Sequence, residues 1–244
     1  MTSRRKIDVF RTEMEMRGLM AALRLGVLSF LTKLLTPKTV DFDKKFGTVT
    51  NNRVEVLDGN LPETAQDTAV RYVPTKPEVI RHICRTIPGD RNDYIFLDLG
   101  SGRGRALLVA SDFPFKEIIG VEVSPMHNKI AQENITKYRP NSQRCTAISS
   151  ICANVLDYQF PSSDLIIYLY QPFDDPVLRQ VLLNLEETIG DSHCVYLCYS
   201  APWARVGMLQ QQSYLQPLKS FPAVHPDDEW NLYGNSLANQ AFNK

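Results

Sequence analysis

Three glycines within eight residues are the feature of this sequence best suited to bind a ligand. The segment reads DLGSGRGR at residues 98–105 and overlaps the end of the short apolar run Tyr94–Leu99. Glycine lets a chain turn sharply, and it lets the backbone approach a ligand without an obstructing Cβ atom. With a strand before it and a helix after it, such a loop can hold a nucleotide-like cofactor. The loop residues predicted to bind a cofactor are Gly100, Ser101, Gly102 and Gly104.

The spacing and the charge of this loop distinguish two cofactors. The dinucleotide fingerprint is Gly-x-Gly-x-x-Gly, with a pyrophosphate at the helix N-terminus. Here Arg105 stands in place of the third glycine, and Gly104 comes one residue early. Asp98 would repel a pyrophosphate, whereas it would attract the ammonium or sulfonium group of S-adenosylmethionine. The sequence therefore favours S-adenosylmethionine over NAD and places Asp98 in its binding site.

Polar residues at the ends of two later strands extend the predicted cofactor site. Glu122 lies about 24 residues after Asp98, where a carboxylate can accept hydrogen bonds from both ribose hydroxyls. Asn154 and Val155 follow a third strand, and the Asn154 amide can donate to and accept from an adenine ring. The alternatives that need no ligand are a solvated acid at a strand end and a loop asparagine.

The alternation of strands and helices predicts a doubly wound α/β fold with a mostly parallel sheet. Strands are predicted at Tyr94–Leu99, Ile118–Val123, Thr146–Cys152, Asp164–Tyr170 and Cys194–Tyr199. Helices are predicted at Glu78–Ile87 and Ala106–Ser111, from Ser124 or Pro125 to about Tyr138, and at Asp175–Ile189. Tyr214–Ala223 and Glu229–Tyr233 are predicted to form a closing hairpin. Because ligands bind beyond the carboxyl ends of such strands, the candidate residues should share one edge of the sheet.

Residues 1–70 are predicted to be an extension that precedes a domain at residues 71–244. The segment LMAALRLGVLSFLTKLL at residues 19–35 is shorter than the roughly 20 apolar residues of a membrane span and contains Arg24 and Lys33. Its apolar residues share one helical face, so we expect an amphipathic helix that caps the domain, mediates dimerisation or lies on a membrane surface. Residues 41–70 are predicted to be loop-rich, with one short strand at Arg53–Leu57.

The composition is typical of a globular cytoplasmic protein. Lys and Arg number 27, as do Asp and Glu, and this neutral balance argues against a nucleic-acid partner. The five cysteines are odd in number and lack Cys-x-x-Cys spacing, so we expect reduced thiols. Cys194 and Cys198 should face the same side of one strand. The four histidines are scattered and predict no metal site.

Several segments resemble those of a known enzyme family. FLDLGSGRGRA at residues 96–106 and GVEVS at residues 120–124 resemble motif I and the following acidic motif of class I S-adenosylmethionine-dependent methyltransferases. More narrowly, FDKKFG at 42–47, RYVPT at 71–75 and YLYQPF at 168–173 are similar to a largely uncharacterised bacterial group of these enzymes. The glycine loop also resembles locally that of the DOT1-type lysine methyltransferases. The resemblance covers roughly residues 40–200 and implies the seven-stranded, Rossmann-like class I fold.

The resemblance assigns roles to the residues that flank the domain entrance. Related enzymes use a Tyr-x-Pro-Thr segment to close the methionine end of the cofactor site, which implies this role for Tyr72 and Thr75. Pro74 and Pro77 restrict the chain by themselves, so a rigid entry turn is the alternative.

The resemblance also implies that the candidate catalytic residues are Tyr170, Gln171, Pro172 and Phe173. Many amine-methylating enzymes carry Asn/Asp-Pro-Pro-aromatic after the fourth strand, and the bacterial relatives carry Asn-Pro-Phe. An amide oxygen and a backbone carbonyl can accept the protons of an amine, and an aromatic ring can hold a flat substrate or a developing cation. Gln171 is one methylene longer than Asn. The alternative is a plain turn before a helix capped by Asp174 or Asp175.

Together these features predict methyl transfer to an unidentified acceptor, for which an amine of a protein lysine or of a small molecule is a candidate. Tyr170 and Gln171 are candidates for orienting the acceptor, and no residue stands out as a general base. The alternatives are a methyltransferase-like protein that binds its cofactor or a partner without catalysis, and an NAD-dependent oxidoreductase.

Overall fold

The computed structural model describes residues 41–51, 72–200, 209, 213–223 and 228–243. Residues Phe42–Lys244 form one compact unit, and the predicted division at residue 71 stays a prediction. The predicted helix at residues 19–35 and the predicted strand at Arg53–Leu57 lie outside the described residues.

Seven strands in the described residues form one sheet in the order β3-β2-β1-β4-β5-β7-β6. They are β1 Tyr94–Leu99, β2 Glu117–Glu122, β3 Ile148–Cys152, β4 Asp164–Tyr170, β5 Val195–Ser200, β6 Gln216–Phe221 and β7 Trp230–Gly234. Strands β1 to β5 are parallel, and β7 is antiparallel to both β5 and β6. The predicted doubly wound sheet and its closing hairpin are confirmed, with small shifts at the strand ends.

Helices cover both faces of the sheet, as the alternating pattern predicts. They are α1 Phe42–Phe46, α2 Pro77–Thr86, α3 Arg105–Ala110, α4 Pro125–Lys137, α5 Asp175–Ile189 and α6 Ser236–Phe242, with 3₁₀ turns at Arg91–Asp93 and Val155–Asp157. The four predicted helices correspond to α2 through α5. Helix α1 falls in the segment predicted to be loop-rich. The prediction is wrong there because the segment is mostly polar, and the contribution of Phe42 and Phe46 depends on a tertiary contact. The Phe42 and Phe46 rings lie 5.9 and 4.8 Å from the Tyr138 ring, and this tertiary contact stabilises a turn that the local sequence does not.

Side-chain caps fix where two of the helices begin. The Ser124 hydroxyl accepts the His127 N–H ahead of α4, and the Asp174 carboxylate accepts the Val177 N–H ahead of α5. Both helices also have proline in their first turn, where its missing N–H costs nothing. Helix α5 therefore starts two residues after Phe173, with Asp174 as its cap, and fixes the end of the loop that follows β4.

The apolar residues of the strands divide between two cores, one on each face of the sheet. Phe96, Cys194 and Cys198 belong to one core, and Leu97 belongs to the other. Cys194 and Cys198 thus share a face, as predicted. All five cysteines are free thiols. None of the described helices is long and apolar enough to cross a bilayer, and the described residues contain no cluster of His, Cys, Asp and Glu suited to a metal ion.

The strand order places a crevice between β1 and β4. The chain proceeds from β1 to β2 and β3 on one side, and then from β4 to β5 on the other. The loops after β1 and β4 therefore leave the sheet in opposite directions, and ligands bind at such a switch point in doubly wound folds.

Candidate functional site

A cleft opens at this switch point, beyond the carboxyl ends of β1, β2 and β4. Every residue predicted for the site lines it except Gly104. The fold therefore brings together side chains from the entry segment, from the glycine loop and from the loops after β2, β3 and β4.

Asp98, near the end of β1, has a buried carboxylate that accepts no hydrogen bond from the described residues. It is 4% exposed and lines the cleft, yet no described residue donates a hydrogen bond to it. Burial and, to a smaller extent, the nearby Glu122 carboxylate raise the pKa of Asp98 to about 8. A buried carboxylate in this position is stabilised when a cation binds beside it.

Glu122, the last residue of β2, is bound to the glycine loop by its own carboxylate. One oxygen accepts the Gly102 N–H at 2.7 Å, and the other accepts the Ser124 N–H at 2.9 Å. Burial raises the pKa of Glu122, and these backbone donors oppose the increase. The side chain thus fixes the relative positions of the loop after β1 and the start of α4 while it faces the cleft.

Positions 100 and 102 need glycine for two reasons, which are their backbone angles and the close packing of neighbouring side chains. Their φ values are +84° and +53°, in the region that favours glycine. A Cβ atom on Gly100 would lie 2.4 Å from the Pro172 Cβ, and one on Gly102 would lie 2.2 Å from the Tyr72 ring. The loop after β1 is therefore packed directly against two other walls of the site.

The side-chain hydroxyl of Ser101 is available to a ligand in this part of the cleft. Its hydroxyl is buried and has no hydrogen-bond partner in the described residues. It fits there because Gly120 has no side chain, since a Cβ on Gly120 would lie 2.6 Å from the Ser101 oxygen.

Gly104 lies outside the cleft, in contrast to the other predicted loop residues. It has a left-handed conformation with φ of +81° and precedes the first residue of α3. A Cβ atom there would come within 3.2 Å of the Ala131 Cβ on α4. The position allows α3 to begin and α4 to approach closely, so its effect on a ligand would be indirect.

Tyr72 and Thr75 form the entry wall of the cleft. The Tyr72 hydroxyl donates to the Thr50 carbonyl at 2.9 Å, and its ring centroid lies 5.2 Å from that of His127. The hydroxyls of Thr75 and Tyr168 lie 2.8 Å apart. Tyr168 is the neighbour of Asp98 in the sheet register, so the Thr75 contact joins the entry segment to the centre of the sheet.

The loop after β4 holds Gln171 in an unusual backbone conformation. Gln171 has a φ of +42°, the only positive value among the described non-glycine residues. Such conformations are sparsely populated and occur often at ligand-binding loops. Pro172 packs on Gly100 on one side, and the Asp174 cap begins α5 on the other. The path of this loop is thus fixed at both ends.

Asn154 and Val155 occupy the far wall, after β3. The Asn154 oxygen accepts the Leu156 N–H at 3.0 Å and caps the turn Val155–Asp157. Its amide nitrogen donates to no described residue, so the donor half of the side chain is the part available to a ligand.

Several lining residues were not predicted from the sequence. Arg105 entered the argument only as a departure from a glycine pattern, yet it lines the cleft. His127 and Tyr168 also line it. His127 follows the Ser124 cap by three residues and so lies in the first turn of α4, near the strand ends. This position after a capping residue is the signal in the sequence that could have identified His127.

Comparison with known proteins relates this fold to methyltransferases. No protein-family model matches the chain. The chain is 36% identical over 69 residues to a protein-lysine N-methyltransferase of Saccharolobus islandicus (strain REY15A), a match that spans 28% of this chain and 42% of that protein.

Solved structures show the same architecture at low sequence identity. The Escherichia coli protein yhhF, described as a candidate methyltransferase, has a TM-score of 0.50 and 14% identity, covering 65% of this chain and 86% of that one. An RNA methyltransferase of Salinibacter ruber, in complex with S-adenosyl-L-homocysteine, has a TM-score of 0.47 and 18% identity over 66% and 92% of the two chains. The order of the seven strands and the similarity to yhhF show that the chain has the Rossmann-like class I methyltransferase fold. Its similarity to a particular bacterial group and to the DOT1-type loop stays a prediction.

Proposed function

We propose that this protein is an S-adenosylmethionine-dependent methyltransferase. The observation that carries the proposal is Asp98, which is buried in the cleft with no described hydrogen-bond donor. An ionised carboxylate in such a place is costly unless a cation or donor joins it. The ammonium group of the cofactor supplies both.

The residues of the cleft fit the rest of this cofactor. Asp98 would bind the ammonium group, Glu122 the ribose hydroxyls, and Asn154 the adenine ring, with Val155 against its face. The unpaired Ser101 hydroxyl and the backbone of Gly100 and Gly102 would meet the methionine part, which Tyr72 and Thr75 would enclose. NAD fits less well, because the buried Asp98 carboxylate would lie beside its pyrophosphate; Glu122 does not discriminate, since both cofactors have ribose hydroxyls.

The cofactor supplies a methyl group made electrophilic by a positively charged sulfur. The protein residues bind, orient and exclude water. Pro172 packs the loop after β4 against Gly100, so the loop that would orient the acceptor lies directly against the loop that would hold the cofactor. Tyr170 and Gln171 line the cleft beside that contact and would orient the acceptor. Phe173 is 8% exposed and would contribute an apolar surface.

An amine is the acceptor class that this loop supports best. The Gln171 amide oxygen can accept an N–H bond and so hold a neutral amine with its lone pair free. The partial match to a protein-lysine N-methyltransferase points to the same class. Three features stay predictions. They are that the protein has no nucleic-acid partner, that residues 19–35 mediate dimerisation or membrane contact, and that the protein is cytoplasmic.

Calorimetry with S-adenosylmethionine, S-adenosylhomocysteine and NAD tests the cofactor. We expect micromolar binding of the first two and none of NAD, and the reverse pattern would replace the proposal with an oxidoreductase. Transfer of a labelled methyl group to cell-extract fractions, with protein, RNA and small molecules separated, then tests the acceptor. Binding without transfer to any fraction would favour the non-catalytic alternative.

A further inference from the structure

We propose that Asp43 is a positioning residue for this cleft, although it does not line it. Through Thr50 it holds Tyr72 against the glycine loop, and through Arg105 it holds the start of α3. The inference rests on the proposed function, because its main consequence is measured on cofactor binding.

The Asp43 carboxylate organises the turn that follows α1. One oxygen accepts the hydroxyls of Thr48 and Thr50, each at 2.7 Å. The other accepts the backbone N–H groups of Thr50 and Asn51 at 2.8 and 2.6 Å. Burial alone would raise the pKa of Asp43, but these hydrogen bonds outweigh it and lower the pKa. The ionised carboxylate is thus the centre around which residues 48–51 fold.

The turn at residues 48–51 also binds Arg105, the first residue of α3. The guanidinium donates to the Thr50 hydroxyl at 2.7 Å and to the Asn51 side-chain oxygen at 2.6 Å. It also lies 3.7 Å from the Asp43 carboxylate. Arg105 is 7% exposed, and a buried guanidinium needs such partners. The residue that directly follows the last loop glycine is therefore held by the segment 42–51.

Asn134 makes a second connection between this segment and the glycine loop. Its side-chain oxygen accepts the Val49 N–H at 2.9 Å. Its amide nitrogen donates to the Val49 carbonyl at 3.3 Å and to the Arg103 carbonyl at 3.0 Å. Because Asn134 is fully buried, the turn and the loop are fixed to the same point on α4.

The connection reaches the cleft through Tyr72. The Thr50 carbonyl accepts the Tyr72 hydroxyl at 2.9 Å, and the Tyr72 ring covers the open face of Gly102. Thr50 is fully buried, so its carbonyl can move only if the turn around Asp43 changes. Asp43 therefore sets the position of Tyr72, which lines the cleft and would contact the proposed cofactor.

The variant that tests this is Asp43→Asn. An amide has one acceptor oxygen in place of two, and its NH₂ group would face N–H and hydroxyl donors. Asp112→Asn is the matched control. Asp112 accepts two bonds from Arg81 at 3.2 and 3.1 Å and one from Ser142 at 2.6 Å, away from the cleft.

The first measurement is the dissociation constant for S-adenosylhomocysteine. We expect Asp43→Asn to weaken binding by about tenfold, whereas Asp112→Asn stays within about twofold of the wild type. In a Tyr72→Phe background, Asp43→Asn should cause a smaller further loss than in the wild type, because the Thr50–Tyr72 contact is already gone and only the connection through Arg105 remains. Losses that multiply, or equal effects of the two carboxylate variants, would overturn the proposal.

The second measurement needs no ligand. In the free protein, hydrogen exchange at residues 100–106 should accelerate in Asp43→Asn and not in Asp112→Asn. If Asp43→Asn fails to fold, Thr50→Val replaces it, and Thr50→Ser should restore the wild-type behaviour because it keeps the hydroxyl. A wild type that binds no S-adenosylhomocysteine would refute the proposed function, whereas unchanged exchange at residues 100–106 would refute the role of Asp43.

Discussion

Gly100 and Pro172 are in direct contact across the crevice between β1 and β4. A Cβ atom on Gly100 would lie 2.4 Å from the Pro172 Cβ, far closer than two carbon atoms can approach. The loop that would hold the cofactor and the loop that would orient the acceptor are therefore a single packed unit.

The first prediction concerns this contact. Gly100→Ala should destabilise the fold by about 2–4 kcal/mol, because backbone strain at a φ of +84° combines with displacement of Pro172. Gly47→Ala is the control, since Gly47 also has a positive φ, of +68°, but its Cβ would meet no described atom within 4 Å. Denaturant unfolding should give the smaller loss for Gly47→Ala, and equal losses would show that the contact is unimportant.

A second prediction follows from the charge state of Asp98. In the folded protein its pKa is about 8, compared with an ordinary 3.8. As pH rises between these values the unfolded chain ionises Asp98 while the folded one retains the proton, so the folded state loses stability. Asp98→Asn should therefore raise the melting temperature of the ligand-free protein most at pH 8 and least near pH 4.

The same group should make cofactor binding depend on pH. The ammonium group binds the carboxylate form, so wild-type affinity for S-adenosylhomocysteine should rise between pH 6 and pH 8, by up to about tenfold per unit. Affinity of Asp98→Asn should be lower and nearly constant over this range. Titration calorimetry in buffers of different ionisation enthalpy should detect proton release only in the wild type. A flat wild-type profile would contradict the assignment of Asp98.

A third prediction separates the two carboxylates of the cleft. Methylthioadenosine has the adenine and ribose of the cofactor but lacks its amino-acid part. Asp98→Asn should weaken S-adenosylhomocysteine and leave methylthioadenosine within about twofold, whereas Glu122→Gln should weaken both by about tenfold or more. If Asp98→Asn reduced methylthioadenosine binding equally, its effect would be on the fold of the loop.

A fourth prediction concerns Gln171. Gln171→Asn keeps an amide and suits a left-handed backbone, so it should retain stability and methyl transfer. Gln171→Gly relieves the strain at a φ of +42° but increases the freedom of the unfolded chain, so stability should change by less than about 1 kcal/mol. We expect it to bind S-adenosylhomocysteine normally and to lose most of its turnover, measured as kcat with the identified acceptor. Full turnover in Gln171→Gly would exclude a role for the amide.

The sequence by itself determined the strand and helix order and most of the residues that line the cleft. Apolar runs and turn residues are local signals, and Asp98, Glu122 and Asn154 could be placed at one edge because parallel strands end together. Helix starts at Ser124 and Asp174 were likewise readable from capping residues and prolines.

Only the tertiary structure decided which side chains support that site. Arg105 binds Thr50 across 55 positions of sequence, and Asn134 binds Val49 across 85. The polar segment 42–51 carries no periodic apolar pattern, so its packing against α3 and α4 left no local signal. Likewise, Gly104 faces α4 and Gln171 adopts a positive φ because neighbouring elements fix the chain there. Local propensity specifies elements, whereas the contacts between them depend on residues far apart in the sequence.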